Sequence, residues 1–192
     1  MCTGDGPQVD RLLADLARWS GDRAADEAAA ARSRERWLRQ QAAEDARFAG
    51  VLVDLAERAL PVTVATTAGP VVRGRLAAVA SDFVAVVPSG EGAGGRATLV
   101  QLGAVAWVRP EPGRRGGEAA AERAAPGQGT LAAALARLAD DRPRVTVTTA
   151  GGAALTGELR SVGADVVTLR MDGRPPPTAY LPLAAVAVVT VL

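Results

Sequence analysis

The chain has 192 residues, 48% hydrophobic and 22% charged, and carries a net charge of +1. Near-neutral charge excludes a general electrostatic pull towards nucleic acid or an anionic membrane, and no apolar run approaches the roughly 20 residues needed to cross a bilayer. Histidine is absent and the single cysteine is Cys2, so the sequence offers no internal disulfide and no imidazole for acid/base work, and no set of Cys, His and clustered acids has the spacing of a metal site. The expectation is a non-enzyme without metal or cofactor. Lysine, asparagine and isoleucine are also missing and all 22 basic residues are arginine, a bias that GC-rich codon usage explains better than selection for guanidinium chemistry. Met1 to Pro7 lacks the basic and apolar regions of a signal peptide, which makes the cytoplasm the expected compartment.

Val9, Leu12, Leu13, Leu16 and Trp19 fall at helical spacing and predict a short amphipathic helix, broken at Ser20-Gly21-Asp22. From Asp22 to Ala59 the chain reads as one long helix rich in Ala, Arg and Glu. Arg32, Arg36 and Arg39 share a face of it, with Trp37 close by, and form a candidate phosphate contact with a stacking partner. Acids at i, i+4 spacing, such as Glu35 before Arg39, favour a solvated face instead. The stripe Phe48, Val51, Leu52, Leu55 and Ala59 is firmly apolar, and Pro61 stops the helix.

Strand patterns follow. Val62, Val64 and Thr66 alternate, Ala68-Gly69-Pro70 turns the chain, and Val71 to Ala80 alternates through Val72, Gly74 and Leu76 before slipping to Val79. Such a slip predicts a bulge or bend in a long strand, with Gly74 relieving crowding beside it. Asp82 reads as a turn residue bonding its own backbone. Phe83 to Val87 is a third strand. The Gly-rich stretch from Pro88 to Arg96 lacks the ending of a phosphate loop and reads as a loose hairpin. Leu99 to Leu102 and Ala104 to Val108 are nearly continuous strands, and Pro110 to Gly129 has the composition of a flexible tether.

The same order then returns. Phe48 to Val86 superposes on Leu131 to Leu169 at a constant offset of 83 residues, with identities that include Leu52/Leu135, Val62/Val145, Val64/Val147, Gly74/Gly157, Leu76/Leu159, Val79/Val162, Asp82/Asp165 and Val84/Val167. Leu99 to Val108 answers to Tyr180 to Val189 at an offset of 81. The expected class is α+β, mainly β: two tandem five-stranded barrels, each preceded by a helix, plus an N-terminal helical arm. The expected parts are a helical extension (1–45), a first helix-plus-barrel repeat (46–110), a flexible linker (111–129) and a second repeat (130–192).

A helix, five short strands with the second strongly bent, and a short connection from fourth to fifth strand resemble the Sm-like (LSm, Hfq-type) fold, a variety of SH3-like barrel. Gly74-Arg75-Leu76-Ala77-Ala78-Val79-Ala80-Ser81-Asp82-Phe83-Val84-Ala85-Val86 is similar to the family's first signature, and Leu99 to Pro110 to its second. Gln101-Leu102 and Pro182-Leu183 stand where Hfq-type proteins carry Lys-His. An SH3-like or PRC-type barrel outside the group is the alternative class. The resemblance implies assembly through the fourth and fifth strands and binding of single-stranded RNA on a ring. Its candidate contacts are Arg73, Arg75, Arg96, Arg160, Arg170 and Arg174, besides Arg32, Arg36, Arg39 and Trp37; Leu99, Gln101, Trp107, Tyr180 and Pro182 are candidates for edge-strand assembly. Pro182 has no N–H, so a neighbour along that edge loses one rung. The other functional expectation is a protein-interaction or self-assembly scaffold with the N-terminal helices as docking arm and no nucleic acid.

Overall fold

Two short helices, α1 (Phe48–Glu57) and α2 (Leu131–Asp140), hold equivalent places in the two repeats, and each turns one apolar face inward: Leu52, Val53 and Leu55 from α1, Leu131, Leu135 and Ala139 from α2. Both leave through a left-handed residue, Ala59 (φ 48°) and Arg142 (φ 49°), at the helix exit usually given to glycine. The computed structural model describes residues 23, 27–37, 47–89, 96–111 and 127–192. Met1–Asp45 and Ala46–Leu192 are separate compact units. In the first, residues 27–37 are helical and exposed.

One continuous helix from Asp22 to Ala59 is not what forms. Arg47 is extended (φ −104°, ψ 141°), so α1 starts afresh at Phe48. Neither glycine nor proline marks that break. The apolar stripe beginning at Phe48 is what packs, and packing of an amphipathic face, more than propensity, decides where a helix stands.

The strands are β1 (Pro61–Thr66), β2 (Val71–Val79), β3 (Phe83–Val87), β4 (Thr98–Gln101) and β5 (Val105–Pro110) in the first repeat. Those of the second are β6 (Arg144–Thr149), β7 (Ala154–Val162), β8 (Val166–Met171), β9 (Thr178–Pro182) and β10 (Val186–Val191). One-turn 3-10 helices, Leu102–Ala104 and Leu183–Ala185, join fourth to fifth strand in each. α1 packs on β2 and α2 on β7. The bends expected in β2 and β7 are register shifts, between Leu76 and Ala78 and between Leu159 and Ser161. Gly74 and Gly157 sit just before them, where β3 and β8 pass so close that a Cβ at Gly157 would lie 2.6 Å from the Arg170 carbonyl oxygen.

Two separate closed barrels do not form. All strands among the described residues belong to one open antiparallel 10-stranded sheet in the order β5-β1-β2-β3-β4-β10-β6-β7-β8-β9. Within each repeat the order is the same, fifth-first-second-third-fourth, which leaves the fourth strand and the fifth with one bare side each. The bare side of β4 is filled by β10 of the other repeat, in the register Val188↔Val100, Val189↔Leu99 and Thr190↔Thr98. Pairing satisfies two exposed rows of amides and carbonyls at once, which is the physical reason that the sheet runs on through the seam.

Burial follows the seam. Leu99 of β4, with Ala80 and Phe83, belongs to the core around Leu135, Val147, Leu159 and Leu169 of the second repeat. Ala187 and Val188 of β10 belong to the core around Leu52, Val64, Leu76 and Val86 of the first. Each hydrophobic core is completed by the other repeat. At the seam rim the Thr98 and Thr190 hydroxyls hydrogen-bond at 3.3 Å. Of the linker read as a tether, residues 112–126 lie outside those described. Its ends are held: Glu111 N–H donates to Pro61 O (2.8 Å), Gly127 N–H to Val79 O (2.9 Å) and Ser81 Oγ to Gly129 O (2.7 Å).

Candidate functional site at the repeat junction

The turn between second and third strand of each repeat is tied to its own fourth-to-fifth connection: Leu102 N–H donates to Asp82 O (2.8 Å) and Leu183 N–H to Asp165 O (2.7 Å). Where these two corners meet beside the seam lies a cavity of about 240 Å³, lined by Asp82, Gln101, Leu131, Ala164, Asp165, Leu183 and Ala184. It brings together the two aspartates that the sequence placed in separate domains.

Their roles have diverged. Asp82 does not bond its own turn: its Oδ1 accepts the N–H of Leu131 (2.8 Å), the first residue of α2, while Thr130 Oγ1 accepts the N–H of Ala133 (3.2 Å). A carboxylate at a helix N-terminus satisfies an orphan amide and meets the positive end of the helix dipole. Asp165 has no side-chain partner among the described residues and is exposed. Asp82→Ala is therefore expected to cost about 1–2 kcal/mol in chemical denaturation and Asp165→Ala close to nothing, the difference being the loss of a cap.

Chemically the cavity is an acceptor-rich hole with apolar walls. Carboxylate oxygens of Asp165 and the amide of Gln101 can receive N–H groups, Gln101 can also donate, and Leu131 and Leu183 supply surface for a flat ring or an alkyl chain. A bare phosphate would meet the Asp165 charge.

The candidate arginines are not gathered on this cavity. Arg73 and Arg75 are exposed on β2 on either side of buried Gly74, and Arg96 is exposed ahead of β4. Arg160 donates to Glu158 Oε1 (2.7 Å), a pair that with the charges of Arg170 and Arg142 holds the Glu158 carboxyl below its ordinary range. Arg144 forks onto both oxygens of Asp172, holding that carboxyl low as well. Arg144, Glu158, Arg170, Met171, Asp172, Gly173 and Pro176 line a second cavity of about 310 Å³, and Arg174 is exposed in the adjoining hairpin. Two of the guanidinium groups on this face, those of Arg144 and Arg160, are thus already answered by acids. Arg32, Arg36 and Trp37 are exposed on the N-terminal helix, and Arg39 lies outside the described residues.

Of the edge candidates, Leu99 and Gln101 are on β4, Leu99 within the seam opposite Val189 and Gln101 just past the last paired residue, Val100. Trp107 lies on β5, and Tyr180 and Pro182 on β9, the two strands that end the sheet. Sequence reading missed Asp54, buried in α1 with its Oδ2 bonded by Arg58 Nη1 at 3.0 Å. Its i, i+4 spacing to Arg58 was the available signal. Among the described residues no group of three or more His, Cys, Asp or Glu is placed to hold a metal, and no helix is long and apolar enough to cross a membrane. No family model, curated protein or solved structure matches the chain.

Proposed function

We propose that this chain is a non-catalytic, Sm-like tandem module that builds assemblies through its sheet edges and associates with single-stranded RNA. The observation that carries the reading is the β4–β10 seam. A fourth strand pairs there with the fifth strand of another repeat, the mode of joining that the resemblance implies between subunits. The sheet is left with one fifth strand (β5) and one fourth strand (β9) at its ends, a pair of the same kind. The polar, apolar-walled cavity at the repeat corners is of a size and character to hold the edge and face of a base. Backbone phosphates would then fall to exposed arginines such as Arg73, Arg75 and Arg96.

A second reading, a scaffold that joins proteins without nucleic acid, is favoured by specific charges: Asp82 and Asp165 at the cavity, and Arg144 and Arg160 neutralised by Asp172 and Glu158. Native mass determination of the full chain, with and without a labelled single-stranded RNA at low and high salt, separates them. The first reading expects an assembly whose RNA binding weakens steeply as salt rises. Assembly with no RNA bound at low salt leaves the scaffold, and a strict monomer without RNA binding overturns both.

A further inference from the structure

The outer face of three neighbouring strands, β5, β1 and β2, gathers charge and apolar surface that neither the corner cavity nor the seam uses. Residues opposite one another in an antiparallel sheet point to the same side. The register sets Val71, Ala65 and Trp107 in one row and Arg73, Thr63 and Arg109 in the next, with Arg75 beside Pro61 beyond them. Val62 and Val64, which alternate with these residues along β1, belong to the core, so the rows lie on the outside of the sheet.

Val71 and Trp107 are 55% and 47% exposed, with Ala65 buried between them. The Arg109 guanidinium lies over the Trp107 ring, 5.8 Å from its centre, a cation–π contact that steadies the indole. Arg73, Arg75 and Arg109 are exposed, and none of them has an ion-pair partner among the described residues. Against these three cations the alternation sets Glu111, two residues past Arg109.

The second repeat supplies the comparison. Its matching positions hold Ala154, Thr148 and Val188 in the first row, Thr156, Thr146 and Thr190 in the second, and Glu158 in place of Arg75. There the Thr146 and Thr156 hydroxyls bond each other (2.9 Å) and Glu158 accepts from Arg160 (2.7 Å). The same strands thus pair without tryptophan or free arginine on this face, and the fold does not call for them. Tryptophan and arginine around an apolar centre are the residues that carry most of the energy at protein interfaces.

We infer that this face docks an acidic, extended segment of a partner protein, with two carboxylates on Arg73 and Arg75 and an apolar side chain between Val71 and Trp107. Alternate residues of β2 are about 6.6 Å apart, which is also the spacing of alternate side chains on an extended peptide. Each guanidinium can fork onto a carboxylate. Val71 offers aliphatic surface, and Arg109 already covers part of the indole, so an apolar side chain gains more here than a stacked base. This rests on the scaffold reading above and adds to it a site and a partner chemistry; it uses side chains on the sheet face and not the bare backbone edges.

The test is fluorescence anisotropy of the full chain with three labelled probes: a peptide in which one leucine and two glutamates alternate with serines, the same peptide with glutamines for the glutamates, and a single-stranded RNA. Native mass determination of each variant reports assembly separately, and circular dichroism confirms the fold. Wild type is expected to bind the acidic peptide about tenfold more tightly than the glutamine one. Trp107→Ala, and Arg73→Ala together with Arg75→Ala, are each expected to weaken it about tenfold. Arg137→Ala, at an exposed arginine of α2, is expected to leave it unchanged. No binding of the acidic peptide by wild type, or equal binding by every variant, overturns the inference, and assembly retained in the native mass leaves the scaffold reading standing. RNA binding that is lost with Arg73 and Arg75, without peptide binding, overturns the acidic occupant and assigns these arginines to phosphates.

Discussion

Val188→Asp is expected to be the most destructive single change in the sheet, costing more than about 4 kcal/mol, enough to unfold a small domain at room temperature. Val188 is 3% exposed, faces the core built by the first repeat and stands opposite Val100 in the seam. A carboxylate there has no cation within the strand pair and no water. The control is Trp107→Asp, the counterpart on the free edge, where a half-exposed side chain can turn its charge to solvent and the cost in dilute protein is expected to stay near 0.5 kcal/mol. Urea denaturation measures both. Equal losses at the two positions would show that the seam does not hold the molecule together.

Gly74→Ala is expected to destabilise by about 2–3 kcal/mol, against the few tenths usual for alanine on an exposed strand. A Cβ at Gly74 would overlap the Val87 carbonyl oxygen and lie 2.8 Å from its carbon and 2.9 Å from Val86 Cγ1, so β3 must move away from β2. Those obstacles are mainly backbone, which has no rotamer to yield. Strand β3 also carries β4, and β4 carries the seam. Loosening at Gly74 is thus expected to reach the Leu99 region, which amide exchange of β4 and β10 would report. Gly157→Ala, with its nearest contact at 2.6 Å, is expected to follow with a smaller loss. A melting temperature unchanged in both variants would contradict the close approach of β3 to β2 at Gly74 and of β8 to β7 at Gly157.

What the chain displays in its residues, and what it conceals, divides along local and non-local lines. The repeat, the helix-then-strands order and the bends near Leu76 and Leu159 are readable because each depends on neighbours in sequence: alternation, a slip of one, a glycine beside it. The partner of β4 is not readable that way. Thr98 to Gln101 carries the same adjacent apolar pair, Leu99 and Val100, whether its bare edge closes on its own fifth strand or on that of the other repeat, and only geometry chooses between them. Asp82 was open to misreading for the same reason, since the amide that it caps belongs to Leu131, 49 residues on. The restart of the helix at Phe48 carries no breaker and is visible only as the place where apolar stripe replaces polar face.

The cavity at the repeat corners was half legible. Asp82 and Asp165 stood out as a matched pair, but their approach to each other depends on the seam, which sequence alone did not supply. The arginines were legible as residues and not as a patch, because Asp172 answers Arg144 across 28 positions of chain, which no spacing rule announces, while Glu158 answers Arg160 from two places away on β7.

β10 is synthesised after the other nine strands of this sheet, yet it occupies a central position, with β4 on one flank and β6 on the other. Until it emerges, the N-terminal half lacks the Ala187 and Val188 that fill its interior, and the nascent chain carries an unzipped edge. The finished molecule behaves like an arch whose keystone arrives last: neither half can be released early as a completed body.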